Sequence, residues 1–210
     1  MSDDPSGGAI LVYSDFVCPF CYLGKASLDR YRDRVEEPPE VEWRFFDLRS
    51  HRRRPDGTLD PSAESGKDES YFEQVRENVE RLSRIYEVEM ELEVVRDVDS
   101  YPAHRLAALV REEYDAEIFR AFYRAVFEAL WEEGRDIEDP KVLEACAEKA
   151  EVDPEEVARA LGEPEWEDVL STQFGEAHMR GVTAVPTFVY GKRAAGGVIS
   201  PEQIDQLVRR

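Results

Sequence analysis

The sequence predicts an α/β fold in which a β-α-β unit and a later β-β-α unit share one sheet, with an all-helical subdomain inserted between them. Three observations predict this arrangement. A short apolar run at residues 9–13 precedes a helix-like stretch that opens on a C-x-x-C motif. A long segment of helical periodicity fills the middle of the chain. Short β-branched and aromatic runs then return near the C-terminal end.

The first unit reads as a strand, a helix and a second strand. Residues 9–13 (AILVY) are apolar, β-branched and aromatic, as in a buried strand. The helix is indicated by apolar residues at roughly helical spacing: Leu23, Leu28, Tyr31 and Val35. Residues 41–46 (VEWRFF) form the second strand after the turn-forming pair Pro38-Pro39. The β-α-β connection should be right-handed.

A polar loop at residues 50–70 precedes the helical segment, with turn signals at Pro55-Asp56-Gly57 and Pro61. For its basic residues we favour pairing with surrounding carboxylates over an anion-binding role: Arg49, His51, Arg52, Arg53 and Arg54. Apolar residues then recur at helical spacing to about residue 180. Asp139-Pro140 and Asp153-Pro154 have the form of helix starts. We therefore assign residues 1–65 and 181–210 to the sheet domain and residues 66–180 to the helical insertion.

The last unit contains two strands and a helix. Residues 187–190 (TFVY) follow Pro186, a turn follows at Gly191-Lys192, and residues 193–197 pair back. Ser200-Pro201-Glu202 precedes a helix over residues 203–208.

The C-x-x-C motif, Cys18-Pro19-Phe20-Cys21, indicates thiol–disulfide chemistry. Cys18 falls at the predicted N-cap and Pro19 at the first helical position, where a missing N–H costs nothing. Because unpaired N–H groups and the helix dipole favour a thiolate there, we expect Cys18 to be the exposed nucleophile and Cys21 to resolve the mixed disulfide. Phe20 carries no charge, so we expect a less extreme oxidant than one with a basic residue there.

Two other roles for the motif are open, a metal site and a structural disulfide. Zinc usually takes four ligands. The remaining candidates are Cys146, which we interpret as a buried structural thiol, and three histidines without metal spacing: His51, His104 and His178. We predict no metal, and no dissolved cofactor beyond the Cys18–Cys21 disulfide.

The composition limits the cellular compartment and the binding partners that we expect. The net charge is −20 over 210 residues, with acidic residues spread along the chain. This pattern is typical of halophilic proteins, with an archaeal source expected, and it argues against nucleic acid and anionic membranes as partners. The chain opens without a recognisable signal peptide and contains no stretch of transmembrane length. We therefore expect a cytoplasmic protein, where a C-x-x-C pair is more often catalytic than structural.

Four segments resemble the DsbA-like thiol oxidoreductases, in particular their FrnE-type branch: residues 14–25 (SDFVCPFCYLGK), 100–105 (SYPAHR), 133–137 (EGRDI) and 181–189 (GVTAVPTFV). Phe20 stands where the branch often has tryptophan, and Ala184 where glycine is usual. The resemblance implies a thioredoxin-like fold with a helical insertion and a cis peptide before Pro186. It also implies that the Val185 backbone pairs with an extended substrate and that Pro186 lies near the sulfurs.

The resemblance implies a protein disulfide oxidoreductase whose partners are a thiol- or disulfide-containing protein or small thiol and a redox recycling partner. The candidates for a substrate pocket are Phe16, Tyr22, His104 and Arg105. For the last two we favour helix packing and ion pairing, respectively. Two alternatives stay open. One is an enzyme like 2-hydroxychromene-2-carboxylate isomerase or kappa-class glutathione transferase, which carry serine at the position of Cys18. The other is a non-catalytic peptide-binding module.

Overall fold

A four-stranded sheet in the order β2-β1-β3-β4 forms the centre of the fold. The computed structural model describes residues 8–54, 57–60, 62–63, 69–92 and 98–209. The strands are β1 (Ile10–Ser14), β2 (Val41–Phe45), β3 (Thr187–Tyr190) and β4 (Arg193–Gly196). β1 is parallel to β2 and antiparallel to β3, and Val12 lies opposite both Trp43 and Phe188. The two ends of the chain therefore build one sheet, as predicted.

Eight α-helices surround or extend this sheet within the described residues. They are α1 (Pro19–Arg32), α2 (Glu69–Tyr86), α3 (Tyr101–Glu113), α4 (Ala116–Trp131), α5 (Pro140–Lys149), α6 (Glu155–Gly162), α7 (Pro164–Met179) and α8 (Pro201–Arg209). Helices α2 to α7 follow β2 and precede β3, so the α/β class with a helical insertion is confirmed. Helix α1 packs against α2 and α8, while α3 packs against α4, α6 and α7.

The predicted helix starts are largely confirmed. Asp139 is the N-cap of α5 and accepts a hydrogen bond from the Lys141 N–H at 2.9 Å, with Pro140 at the first helical position. The start at Asp153 is shifted by one residue, because the N-cap of α6 is Pro154. Helix α7 has no separate start signal among those we identified, although it lies within the predicted helical segment.

The segment predicted as a loop after β2 contains more structure than expected. Ser50–Arg52 form a short 3-10 helix, and Arg53 pairs with Leu59 in an isolated antiparallel bridge. The turn residues Pro55, Asp56 and Pro61 and the domain boundary at residues 65/66 lie outside the described residues. The division of the chain into residues 1–65 with 181–210 and residues 66–180 stays a prediction.

Arg53 ties this segment to the start of α3. Its guanidinium donates to Asp47 at 2.6 Å and to Asp99 at 2.9 Å, and its side chain is only 10% exposed. The same guanidinium lies 4.2 Å from the centre of the Tyr101 ring. For Arg53 the favoured pairing with carboxylates is therefore observed, in a partly buried rather than a solvated setting.

The core at the junction of sheet and helical insertion is rich in aromatic rings. Trp43 of β2 stacks on Tyr123 of α4, with ring centres 4.9 Å apart. Phe16, directly after β1, lies 4.6 Å from the same tyrosine ring. Trp131, at the end of α4, donates its indole N–H to the Phe16 carbonyl at 2.8 Å. These contacts fix the segment that leads into the C-x-x-C motif.

Across the described ranges of the chain, every helix is too short or too polar to cross a membrane.

The high negative charge predicts that salt stabilises the fold. A net charge of −20 opposes compaction through self-repulsion, and added salt screens that repulsion. We expect the midpoint of thermal unfolding to rise by about 5–10 °C between about 0.1 M and about 2 M KCl. Differential scanning calorimetry measures this shift, with glucose at equal osmolality as the control because it does not screen charge. An equal shift in glucose would contradict a charge-based origin.

Candidate active site

The C-x-x-C motif begins helix α1. Cys18 is the N-cap, with φ −94° and ψ 110°, and Pro19 occupies the first helical position. The Cys18 carbonyl accepts hydrogen bonds from the Cys21 N–H at 3.0 Å and the Tyr22 N–H at 3.3 Å. The predicted helix start is therefore confirmed, and Cys21 lies one turn inside the helix.

Both sulfurs are free thiols, and both are buried. Cys18 is 3% exposed and Cys21 is 1% exposed. The expectation of an exposed Cys18 is wrong, because the loop before β3 covers its sulfur. That sulfur lies 3.6 Å from the carbonyl oxygen of Val185. This loop therefore restricts the access of solvent to the Cys18 sulfur.

The Cys21 thiol is held in its neutral form. Burial raises the pKa of Cys21 well above its ordinary value, and the neighbouring Cys18 thiol raises it further. The Asp15 backbone N–H and the Ser14 side chain act in the opposite direction, because they favour the thiolate, but they do not outweigh burial. Cys21 is thus a thiol rather than a thiolate at neutral pH.

The raised pKa of Cys21 predicts a pH-dependent stability of the reduced protein. The folded state holds this proton more tightly than the unfolded state, so the contribution is complete below the unfolded pKa of about 8.5. It is lost as pH rises from there towards the folded pKa. We expect the urea midpoint of the reduced protein to fall between about pH 8.5 and pH 11, and to fall less in Cys21→Ser. Equal losses in the two proteins would contradict the prediction.

A cis peptide bond joins Val185 and Pro186, as the resemblance implies. Pro186 is buried and approaches α1 at Gly24. A Cβ atom at Gly24 would lie 3.2 Å from the Pro186 side chain and 3.3 Å from the Phe188 ring. Gly24 is not among the site residues predicted from the sequence, although a glycine in the interior of a helix is a signal of close packing.

The predicted substrate-pocket residues are mostly closed off from solvent. Phe16 and His104 are 0% exposed, and the Tyr22 hydroxyl donates to the carboxylate of Glu132. Arg105 is partly exposed and donates to the Glu163 carbonyl at 2.7 Å. A direct contact of the three closed residues with substrate would require surrounding side chains to move, so the pocket assignment stays a prediction. Phe20, inside the motif, is half-buried.

Asp15, a buried carboxylate that was not predicted as a site residue, lies shortly before the motif. Oδ1 of Asp15 accepts hydrogen bonds from the Val17 N–H and from His104 Nε2, both at 3.2 Å. Oδ2 accepts from the Leu48 N–H at 2.8 Å. Burial by itself would raise the pKa of Asp15, but the hydrogen bonds, led by that from His104, hold it below its ordinary value. The only sequence signal is an acidic residue at the end of an apolar strand.

Cys146 lies apart from this site. It is buried on α5, and its sulfur lies 3.6 Å from the Ala125 carbonyl oxygen. Burial raises the pKa of Cys146 to about 11. Among the residues that the structure describes, no group of three or more His, Cys, Asp or Glu side chains is placed to hold a metal ion.

The profile of the DSBA-like thioredoxin domain family matches residues 9–209. The chain belongs to this family. The uncharacterized protein YwbO of Bacillus subtilis (strain 168) is similar to this DSBA-like chain, with 28% identity over 204 residues that cover 95% of the chain and 94% of YwbO.

Solved structures share the fold of this DSBA-like protein. The probable DsbA oxidoreductase SCO1869 from Streptomyces coelicolor superposes with a TM-score of 0.77 at 24% identity, covering 95% of this chain and 88% of its own. A 2-hydroxychromene-2-carboxylate isomerase has a TM-score of 0.72 at 19% identity, with coverages of 95% and 92%. The cytosolic disulfide reductase DsbM from Pseudomonas aeruginosa, with GSH, has a TM-score of 0.62 at 16% identity, with coverages of 96% and 93%. At these identities the likeness shows the fold.

Proposed function

We propose that the protein is a thiol–disulfide oxidoreductase of DsbA type that works through Cys18 and Cys21. The observation that carries the proposal is the pair of free thiols at the first turn of α1. The Cys18 sulfur also faces the Val185 carbonyl, directly before the cis proline. Membership of the DSBA-like family supports the same chemistry.

In the reducing direction, the Cys18 thiolate attacks one sulfur of a substrate disulfide. A bond forms between Cys18 and that sulfur, the substrate S–S bond breaks, and its electron pair leaves on the other sulfur, which takes up a proton. Cys21 then loses its proton to solvent and attacks the Cys18 sulfur, and the second substrate sulfur leaves as a thiolate. Substrate is reduced and the protein pair is oxidised; the oxidising direction is the reverse.

The surroundings of the motif fit these steps. Cys18 lies at the N-cap of α1 and its sulfur faces the Val185 carbonyl, while Cys21 lies one turn further into the helix. Phe20 adds no charge, which supports a moderate rather than an extreme oxidant. Thr183 and Ala184, just before Val185, are exposed, so an extended substrate has access to the backbone of this loop.

The reaction requires no dissolved cofactor, and it requires a second redox partner that restores the starting state of Cys18 and Cys21. We propose a thiol- or disulfide-containing protein or a small thiol as substrate. The likeness to DsbM, a cytosolic disulfide reductase solved with GSH, supports glutathione as a small thiol to test and the cytoplasm as the compartment. The net charge of −20 speaks against nucleic acid and anionic membranes as partners.

A redox titration tests the proposal. The protein is equilibrated in buffers of varied GSH/GSSG ratio in high salt, alkylated, and analysed by mass spectrometry. We expect a single two-electron transition between dithiol and disulfide at Cys18–Cys21, with catalysis of insulin reduction by dithiothreitol. The matched control is Cys146→Ala, which should leave the transition unchanged because that thiol is buried on α5. Absence of both the transition and the catalysis would reject an oxidoreductase.

The likeness to a 2-hydroxychromene-2-carboxylate isomerase favours a second candidate. Isomerisation assisted by glutathione requires a single group at the position of Cys18, and Cys21 has no role in it. Conversion of 2-hydroxychromene-2-carboxylate that depends on glutathione and persists in Cys21→Ser would favour this candidate. A non-catalytic peptide-binding module would show neither activity and would bind peptides equally well after Cys18→Ser.

A further inference from the structure

Asp15 contacts Cys18 of the motif through its backbone. Its carbonyl accepts the Cys18 N–H at 3.1 Å, and its backbone also lowers the pKa of Cys21, in opposition to the effect of burial. A small displacement of this one residue would therefore move the entry to α1 and the environment of both sulfurs together.

The side chain of Asp15 is held from three directions. Val17 belongs to its own loop, Leu48 follows β2, and His104 belongs to α3 of the helical insertion. All three partners donate hydrogen bonds, since the two backbone groups are N–H donors and an ionised carboxylate only accepts. Opposite the carboxylate, His104 therefore acts as a donor through Nε2. An ionised carboxylate therefore fits this site. In an asparagine at position 15, the side-chain NH2 group would face at least one of these N–H donors, and two donors cannot form a hydrogen bond.

His104 is fixed in turn by the aromatic core. Its ring lies 4.8 Å from the Phe16 ring and 5.3 Å from the Phe45 ring, measured between centres. His104 is 0% exposed, and its Nδ1 makes no hydrogen bond within the described part of the chain. One donor from the insertion thus reaches the Asp15 carboxylate, shortly before the C-x-x-C motif.

We propose that Asp15 is the positioning residue of the Cys18–Cys21 pair, and that His104 fixes it from the helical insertion. The proposal rests on the proposed function, and it gives the helical insertion a role in thiol–disulfide exchange at Cys18 and Cys21. The step most sensitive to the placement of both sulfurs is the attack of Cys21 on Cys18, because a displacement of about 1 Å of reacting groups can cost about a hundredfold in rate.

The reaction with 5,5′-dithiobis(2-nitrobenzoate) separates the two steps. In the first phase Cys18 attacks the reagent, forms a mixed disulfide and releases one thionitrobenzoate. In the second phase Cys21 attacks the Cys18 sulfur, the bond between Cys18 and the reagent breaks, and a second thionitrobenzoate leaves with the electron pair. Stopped-flow absorbance follows both phases in wild type, His104→Leu, His104→Gln and Asp15→Asn, with Leu109→Ala as the control for loss of buried volume on α3.

We expect the second phase to slow about tenfold or more in His104→Leu and Asp15→Asn. It should stay within about threefold of wild type in His104→Gln, which keeps a donor to Asp15, and in Leu109→Ala. The equilibrium constant against glutathione should change about tenfold in the two slow variants, which corresponds to about 30 mV.

An unchanged second phase in Asp15→Asn, or an equal slowing in Leu109→Ala, would overturn the proposal. Equal slowing in His104→Gln and His104→Leu would also overturn it. If His104→Leu fails to fold, the rates of the second phase in Asp15→Asn and in His104→Gln are compared instead, and the same difference between them is expected. Wild-type protein that shows neither phase would instead reject the proposed function, so the two failures are distinguishable.

Discussion

Replacing Cys18 by serine is expected to lower thiol–disulfide exchange by about a thousandfold or more, the scale on which loss of a nucleophile acts. A serine hydroxyl is not ionised at neutral pH, and it cannot form the mixed disulfide on which both directions of exchange depend. Cys18 is also the thiol that faces the Val185 loop. The rate of insulin reduction and the first phase of thionitrobenzoate release are the measurements.

The matched comparison is Cys21→Ser, which should keep the first phase and lose the second. This variant should accumulate a mixed disulfide at Cys18, detectable as the mass of the bound reagent or of glutathione. Cys146→Ser should behave as wild type, because its thiol is buried on α5. Full exchange activity in Cys18→Ser would contradict the assignment of the nucleophile.

The largest loss of stability is expected for Trp131→Ala. The side chain is 2% exposed, so its removal should cost about 3–5 kcal/mol of unfolding free energy. It also leaves the Phe16 carbonyl without its indole donor, which adds about 1–3 kcal/mol. Because natural domains are stable by only about 5–15 kcal/mol, this is a large share of the total.

Urea unfolding followed by circular dichroism measures the effect. Trp131→Phe is the matched control, because it keeps most of the apolar volume while it removes the indole N–H. We expect the phenylalanine variant to lose about 1–3 kcal/mol, less than half of the loss in the alanine variant. A loss below about 1 kcal/mol in Trp131→Ala would contradict the assigned burial.

The motif and its strand-helix setting are predictable because they depend on local rules. Cys18 and Pro19 take the N-cap and first-turn positions that the sequence indicates. Strand β1 is buried along its whole length, with all five residues inaccessible, and a continuous apolar run is the signature of such a strand. The return of the chain to the same sheet at residues 187–190 follows from short apolar runs alone.

Exposure and polar partnerships are not predictable from these rules. The N-cap position predicts an exposed Cys18, but the Val185 loop covers it. No spacing pattern relates Asp15 to His104, which are 89 residues apart in the chain and 3.2 Å apart in space. Arg53 similarly finds Asp99 across 46 residues of chain. Such pairs form because burial forces polar groups to find partners wherever the fold places them.

The sequence by itself predicted thiol–disulfide chemistry, because a C-x-x-C pair at the start of a helix after a strand is typical of a redox site. It also determined the class of fold, through the change from strand to helix periodicity and back. The tertiary structure decided which groups surround that pair. Packing of α3 against the sheet domain brings His104 to Asp15 and buries both, and the depth of burial sets the protonation of Cys21. Burial and long-range contact are properties of the packed chain, and no local stretch of sequence encodes them.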